Sequence, residues 1–180
     1  EEYVGRGISY CAICDGSFHE KQNVVVIGGG NSAIEEALYL AKICKKVTII
    51  TRGHHFRADP VLMEKVMRAN NVDLVTHHVI TKFTGKDLLE QVTAKDRDSD
   101  NEIVLNVRGA FIYVGFTPSS TLLENFDILD EDRYIIVDRN CETKVTGLYA
   151  AGDCIQKNIR QIATAVADGI TCASAIVRKI

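Results

Sequence analysis

Val24-Val25-Val26-Ile27-Gly28-Gly29-Gly30-Asn31-Ser32-Ala33 is the stretch that decides the fold. Four consecutive apolar residues without alternation suit a strand buried on both faces, as in the middle of a parallel sheet. Gly28-x-Gly30-x-x-Ala33 follows at once, with the spacing that lets a backbone approach a pyrophosphate at a helix N-terminus. The helix expected next, Ala33 to about Cys44, places Ile34, Leu38 and Ala41 near one face and Glu35 and Lys42 elsewhere. Such a loop alone is equally an ordinary strand-to-helix turn. The buried strand before it and the amphipathic helix after it make Gly28, Gly30, Asn31, Ser32 and Ala33 a candidate dinucleotide site.

Upstream stands Cys11-Ala12-Ile13-Cys14-Asp15-Gly16. Cys-x-x-Cys brings two thiols close enough for a small disulfide loop, and such pairs often have a depressed thiol pKa and exchange disulfides readily. The bland alternative is half of a zinc site, which needs two further ligands at matching spacing. Cys44, Cys141, Cys154 and Cys172 form no second pair, and His54-His55 and His77-His78 give no knuckle pattern, so no metal is expected. A dithiol beside a dinucleotide loop points to electron flow between a pyridine nucleotide and a protein disulfide.

The nucleotide unit continues into a second strand, Val47-Thr48-Ile49-Ile50, ending at Thr51-Arg52. An NAD-preferring fold places a carboxylate near this point to hold the ribose hydroxyls, whereas arginine suits a 2′-phosphate. Arg52 and Arg57 are available and the next carboxylate is Asp59, so NADPH is expected over NADH.

Beyond lies a helix from Pro60 to about Ala69, with Val61, Leu62, Val66 and Met67 as its expected core face. Four β-like runs follow, Asp73 to Thr76, Val79 to Thr84, Leu88 to Ala94 and Ile103 to Val107, read as an inserted antiparallel meander. Ala110 to Gly115 is a further apolar strand, broken by Thr117-Pro118. Tyr134 to Val137 and Leu148 to Ala151 read as strands, and a helix is expected over roughly Arg160 to Arg178. Gly152-Asp153, at the end of the second of these strands, could hold a ribityl or ribose hydroxyl. From spacing alone it reads as a turn with an Asx cap.

With 180 residues, 46% of them apolar, the chain can bury one good core or two small ones. A net charge of -3 without a basic stripe argues against nucleic acid as a main partner. No apolar run approaches membrane-spanning length, and Glu1-Glu2-Tyr3-Val4 fits neither part of a secretory signal. Six cysteines without framework spacing suit a reducing compartment, so a cytoplasmic location is expected.

Over its whole length the chain resembles the low-molecular-weight, bacterial-type thioredoxin reductases. The resemblance rests on Gly5-Arg6-Gly7-Ile8-Ser9-Tyr10-Cys11-Ala12-Ile13-Cys14-Asp15-Gly16 and on Val26 to Leu40 with its Gly-Gly-Gly-Asn-Ser-Ala core. It continues in Arg52 with Phe56-Arg57-Ala58, in Gly115-Phe116-Thr117-Pro118, and in Ala150-Ala151-Gly152-Asp153 followed by Arg160-Gln161-Ile162. It implies an α/β fold: a Rossmann-like NADPH-binding domain with an inserted β-meander over 1–114, and the C-terminal part of an FAD-binding domain over 115–180. Electrons would pass from NADPH to FAD, to the Cys11–Cys14 disulfide and then to thioredoxin. By the same resemblance Cys14 faces the flavin, Cys11 attacks the thioredoxin disulfide and Asp15 is the general acid. Arg52 and Arg57 hold the 2′-phosphate, while Gly152, Asp153, Arg160, Gln161 and Ile162 sit around FAD. The family is usually a homodimer, and its two domains rotate about a hinge, one strand of which falls in 109–118.

Two departures stand out. The family usually has His and then two consecutive arginines in its phosphate segment, where this chain has Thr51, Arg52 and Gly53, one cation fewer. The family also begins with a long segment carrying its own FAD-binding glycine loop, and none precedes Glu1. The resemblance therefore implies a fragment, inactive by itself. Two other readings compete: the related flavoprotein that reduces a peroxiredoxin, and an NADPH-binding module without turnover.

Overall fold

The computed structural model describes residues 2–180, and they fall into two compact units divided between Gly115 and Phe116. In the first unit, five strands form one sheet: β1 (Ile8–Ser9), β2 (Asn23–Ile27), β3 (Lys46–Ile50), β4 (Val72–Val75) and, later in the chain, a strand at Gly109–Ile112. Three more strands lie between, β5 (His78–Gly85), β6 (Leu89–Asp96) and β7 (Glu102–Asn106), so the Gly109–Ile112 strand is β8. The order in the large sheet is β1-β8-β2-β3-β4, with every pairing parallel. The β5-β6-β7 sheet is an antiparallel meander.

The apolar run that opens β2 explains the layering. Val24, Val25 and Val26 are all fully buried, which requires cover on both faces. On one face Val24 and Val26 pack with Ala33, Ile34, Ala37 and Leu40 of helix α2 (Asn31–Ala41) and with Val66 of helix α3 (Pro60–Met67). A short helix α1 (Ala12–Asp15) adds Ala12 to that face. On the other face Val25 packs with Ile50, Ala110 and the meander residues Leu89, Val92 and Ala94. The unit is thus a three-layer α/β fold, helices on one side of the parallel sheet and the meander on the other.

Several boundaries differ from the sequence reading. Helix α2 begins at Asn31 and ends at Ala41, short of Cys44, because Asn71 Nδ2 donates to the carbonyls of Ala41 and Cys44 and closes the helix end. In α3 the core face is Leu62, Met63 and Val66; Val61 and Met67 are exposed, so those two expectations fail. Asp59 Oδ1 accepts from Val61 N and sets the rotation of the first turn. The run at 73–76 is not part of the meander: as β4 it pairs in parallel with β3. Its burial is only partial because it is an edge strand.

The second unit has a small core of Ile128, Ile135 and Ile155, and one helix, α4 (Ile162–Val177). The strands expected at 134–137 and 148–151 are not formed. Ile135 makes single bridges to Leu129 and Ile155, and Tyr149 one to Glu142. These segments pair with loops rather than with neighbouring strands, so no ladder propagates. Helix α4 starts at Ile162 through a capping box of Gln161 and Thr164, which ends the preceding loop two residues later than the composition suggests. Ile162, Val166, Ile170 and Val177 on it are exposed. Among the described residues no helix is long and apolar enough to cross a membrane.

Candidate functional site

Parallel strands put their C-terminal ends on one edge of the sheet, and three of those ends carry the motifs. β1 runs into the cysteine pair, β2 into the glycine loop and β8 into Tyr113. The sheet order reverses here, since the chain leaves β2 for β3 on one side and later returns as β8 on the other. Crevices at such switch points are where open α/β sheets bind ligands.

Cys11 and Cys14 are joined by a disulfide, with Cα atoms 5.3 Å apart, so the bridge replaces the zinc alternative. Cys11 caps α1, its Sγ accepting from Cys14 N at 3.2 Å. Cys11 is partly covered and Cys14 exposed. Two residues that sequence reasoning did not single out hold this turn. Tyr113 Oη accepts from the N–H of fully buried Ala12 at 2.7 Å, tying α1 to the end of β8. Burial pushes the Tyr113 phenol up to about 12, so it stays neutral. Buried Ser9 accepts from Cys11 N at 3.0 Å and donates to Asp15 Oδ2 at 2.6 Å, fixing the carboxylate beside the disulfide. Neither residue carries a spacing signal: Tyr113 reads as one more apolar strand residue and Ser9 as a polar strand end. Glu36, on α2, has its carboxyl pushed up first by burial and then by Glu35.

The glycine loop has a division of labour. Gly28 has φ +151, and a Cβ there would lie 2.2 Å from Tyr113 O and 3.0 Å from Ala33 Cβ. Gly28 and buried Ala33 therefore serve the close approach of strand and helix. Gly30 caps α2 with no side-chain bond, and nothing lies within 4 Å of where its Cβ would be. Open backbone at a helix N-terminus is the geometry that accepts a phosphate. Asn31 is exposed, and its Oδ1 accepts from Asp59 N at 2.8 Å; Ser32 is also exposed. Arg57 N donates to Gly29 O at 2.6 Å, so the 51–57 segment lies against the loop, with the side chains of Arg52 and Arg57 exposed. Beside it His54 and His77 stack at 3.8 Å, and their nitrogens and an Asp98 oxygen lie within 4.8 Å of one another.

In the second unit, Gly152 (φ +89) donates its N–H to Asp168 Oδ2 at 3.1 Å, which ties the 152–153 turn to the side of α4 near its middle. The Asp153 side chain is 62% exposed. Arg160 Nε donates to Asp153 O, and its guanidinium lies 3.9 Å over the Tyr134 ring. Gln161 caps α4, and Ile162 beside it is exposed. The five residues expected around a flavin therefore gather at one end of one unit. Arg160 also lines an open cavity of about 670 Å³ with Tyr134, Lys157 and two aspartates, Asp130 and Asp132.

The family model described as "Pyridine nucleotide-disulphide oxidoreductase" matches residues 1–169. The chain belongs to this family. Among curated relatives, the thioredoxin reductase of Bacillus subtilis is 39% identical over 179 residues, covering 98% of this chain and 56% of that protein. That of Listeria innocua is 38% identical over 170 residues, covering 94% and 53%. The crystal structure of thioredoxin reductase from Streptococcus pyogenes superposes with a TM-score of 0.92 at 36% identity, covering 98% of this chain and 58% of that one. The chain thus spans little more than half the length of the relatives it matches, and the α/β, Rossmann-type expectation is met.

Proposed function

We propose that this chain carries the NADPH-binding and disulfide-bearing part of a thioredoxin reductase. One observation supports this above others: the Cys11–Cys14 disulfide and the Gly28–Gly30 loop sit on the same sheet edge, linked through Tyr113. In this reading Gly30 and the α2 N-terminus receive the pyrophosphate, and Arg52 and Arg57 the 2′-phosphate. Thioredoxin is the substrate, as the names of the relatives suggest.

Residues of the second unit would hold FAD, which would supply two-electron transfer between the nicotinamide and the disulfide. Exposed Asp153 and the α4 N-terminus offer hydrogen-bonding groups fitted to the polar flank of such a dinucleotide. This chain's own residues then do the thiol chemistry. Reduction of the bridge makes two thiolates, and the Asp15 carboxyl, held by Ser9, is the proton source beside them. Cys11 attacks the thioredoxin disulfide, and Cys14 resolves the mixed disulfide and releases reduced thioredoxin. The unit boundary at Gly115–Phe116, with Gly115 at φ +106 and no atom near its Cβ position, suits a hinge for rotation between units. A homodimer in the cytoplasm completes the proposal, since a dithiol enzyme with four further free cysteines suits a reducing compartment.

The test is NADPH oxidation coupled to thioredoxin reduction, with the chain alone and with the flavin-holding remainder of a longer relative supplied in cis or as a second chain. We expect a colourless, inactive chain alone. Colour and turnover should appear on completion, and turnover should vanish in Cys11→Ser and Cys14→Ser. Turnover that survives either substitution would overturn the proposal, and a yellow, active chain by itself would overturn its dependence on a second part.

A further inference from the structure

We infer that Arg97, on the turn between β6 and β7, is a third cation of the nucleotide site and a determinant of NADPH over NADH. The inference rests on the assignment of Arg52 and Arg57 to the 2′-phosphate and extends it to a residue forty-five positions away from Arg52.

Arg97 Nη1 donates to Arg52 O at 3.1 Å, so its guanidinium lies on the backbone of the phosphate segment itself. That position is braced by the backbone. Arg97 N donates to His77 O at 3.0 Å, His77 N donates to Gly53 O at 2.9 Å, and His78 N donates to Thr51 O at 3.2 Å. Three stretches, 51–53, 77–78 and 97, are therefore stitched into one surface. One bond to a carbonyl uses one of five guanidinium N–H donors, leaving the rest of the fork for an anion.

The carboxylates that flank Arg97 are each engaged by other groups rather than by its guanidinium. Asp96 Oδ1 accepts from Asp98 N, Ser99 N and Ser99 Oγ, so it is spent on its own turn. Asp98 Oδ2 lies 2.8 Å from His77 Nε2, and Asp100 is paired with Lys95 at 2.6 Å. Among the described residues none of Arg52, Arg57 and Arg97 is in an ion pair, although Arg68, Arg108 and Arg133 each are. Three arginines outside any ion pair, on segments stitched together beside an open glycine loop, offer guanidinium donors suited to a phosphate monoester. Gly53 occupies the place where the second arginine of the usual segment would stand, and Arg97 supplies that charge from a different element.

Binding of NADPH and NADH to the chain, by calorimetry or nucleotide fluorescence, tests this in four variants. Arg97→Ala and Arg97→Gln should each weaken NADPH roughly tenfold and leave NADH unchanged. Gln keeps a neutral amide donor on a shorter side chain, so wild-type NADPH affinity in Arg97→Gln would show that the charge is not needed. Arg97→Lys should fall between wild type and Ala. Unchanged NADH binding shows that the variants are folded. Arg52→Ala reports on the underlying assignment: if it lowers NADPH affinity selectively while Arg97→Ala and Arg97→Gln do not, the Arg97 inference is overturned alone. Rescue by Gln would also overturn it, making Arg97 a mere brace. If the unmutated chain binds both nucleotides equally, the 2′-phosphate assignment and the inference fall together.

Discussion

Replacing Gly28 by alanine should damage the fold, whereas the same change at Gly30 should damage the ligand site and leave the fold intact. At Gly28 the backbone stands at φ +151, and the added methyl would lie 2.2 Å from Tyr113 O. That oxygen belongs to the backbone just after β8, and Tyr113 N is itself bonded to Ile27 O at 2.7 Å, so it cannot yield cheaply. Backbone strain at a conformation reserved for glycine costs about 1–3 kcal/mol, and overpacking of a tight site adds about 1–3 more. A middle value of about 4 kcal/mol is a large part of a domain's stability and would lower Tm by roughly 12 °C in a chain of this size. Gly30 has φ -97 and open space around its Cβ position, so Gly30→Ala should change stability by less than about 1 kcal/mol. Its methyl would instead occupy the approach of the pyrophosphate, and nucleotide affinity should drop sharply. Thermal melts followed by circular dichroism, with NADPH binding on the same samples, separate the two effects. A Gly28→Ala chain melting within about 2 °C of wild type would refute the close-approach argument.

Other expectations follow from the site. Tyr113→Phe leaves the buried Ala12 N–H without its acceptor and should destabilise the first unit by about 1–3 kcal/mol, read as a lower denaturation midpoint. His19 is held below its ordinary pKa chiefly by burial against Phe111, so below about pH 6.5 the unfolded chain binds more protons than the folded one. Stability should therefore rise with pH through that window, and His19→Gln should flatten the rise; equal slopes in both chains would rule His19 out as the cause. Burial pushes the Cys44 thiol up to about 11, so Cys44 should resist alkylation at pH 8 until the chain unfolds.

The first unit could be read from sequence because its signals are local. A run of four apolar residues, a glycine loop and an amphipathic helix each declare one element, and the buried β2, the loop and α2 lie where they were expected within a few residues. What the sequence left open was pairing. The run at 72–75 looks no different from the meander strands that follow, yet it lies beside β3. A β-like run does not name its neighbour, and membership of a parallel sheet is settled by crossovers remote in sequence. The same reason accounts for 134–137 and 148–151, whose apolar residues pack into a small core without forming ladders. Cys11 and Cys14 announce themselves by spacing and Asp15 only through the family resemblance, whereas Ser9, Tyr113 and Arg97 make bonds to backbone or carboxylate that depend on the folded arrangement.

The central claim is that Cys11–Cys14 is a disulfide that exchanges with thioredoxin, Cys11 being the attacking thiol. Exposure alone would favour Cys14, the more open of the two, so the assignment makes a discriminating prediction. A thioredoxin with one active-site cysteine activated as a thionitrobenzoate mixed disulfide should be attacked by Cys11 of a reduced Cys14→Ser chain. The attack forms an interchain disulfide and releases one equivalent of thionitrobenzoate. The account predicts this adduct in Cys14→Ser and a far slower one in Cys11→Ser. An adduct formed faster through Cys14, or one that maps to Cys44, Cys141, Cys154 or Cys172, would contradict it.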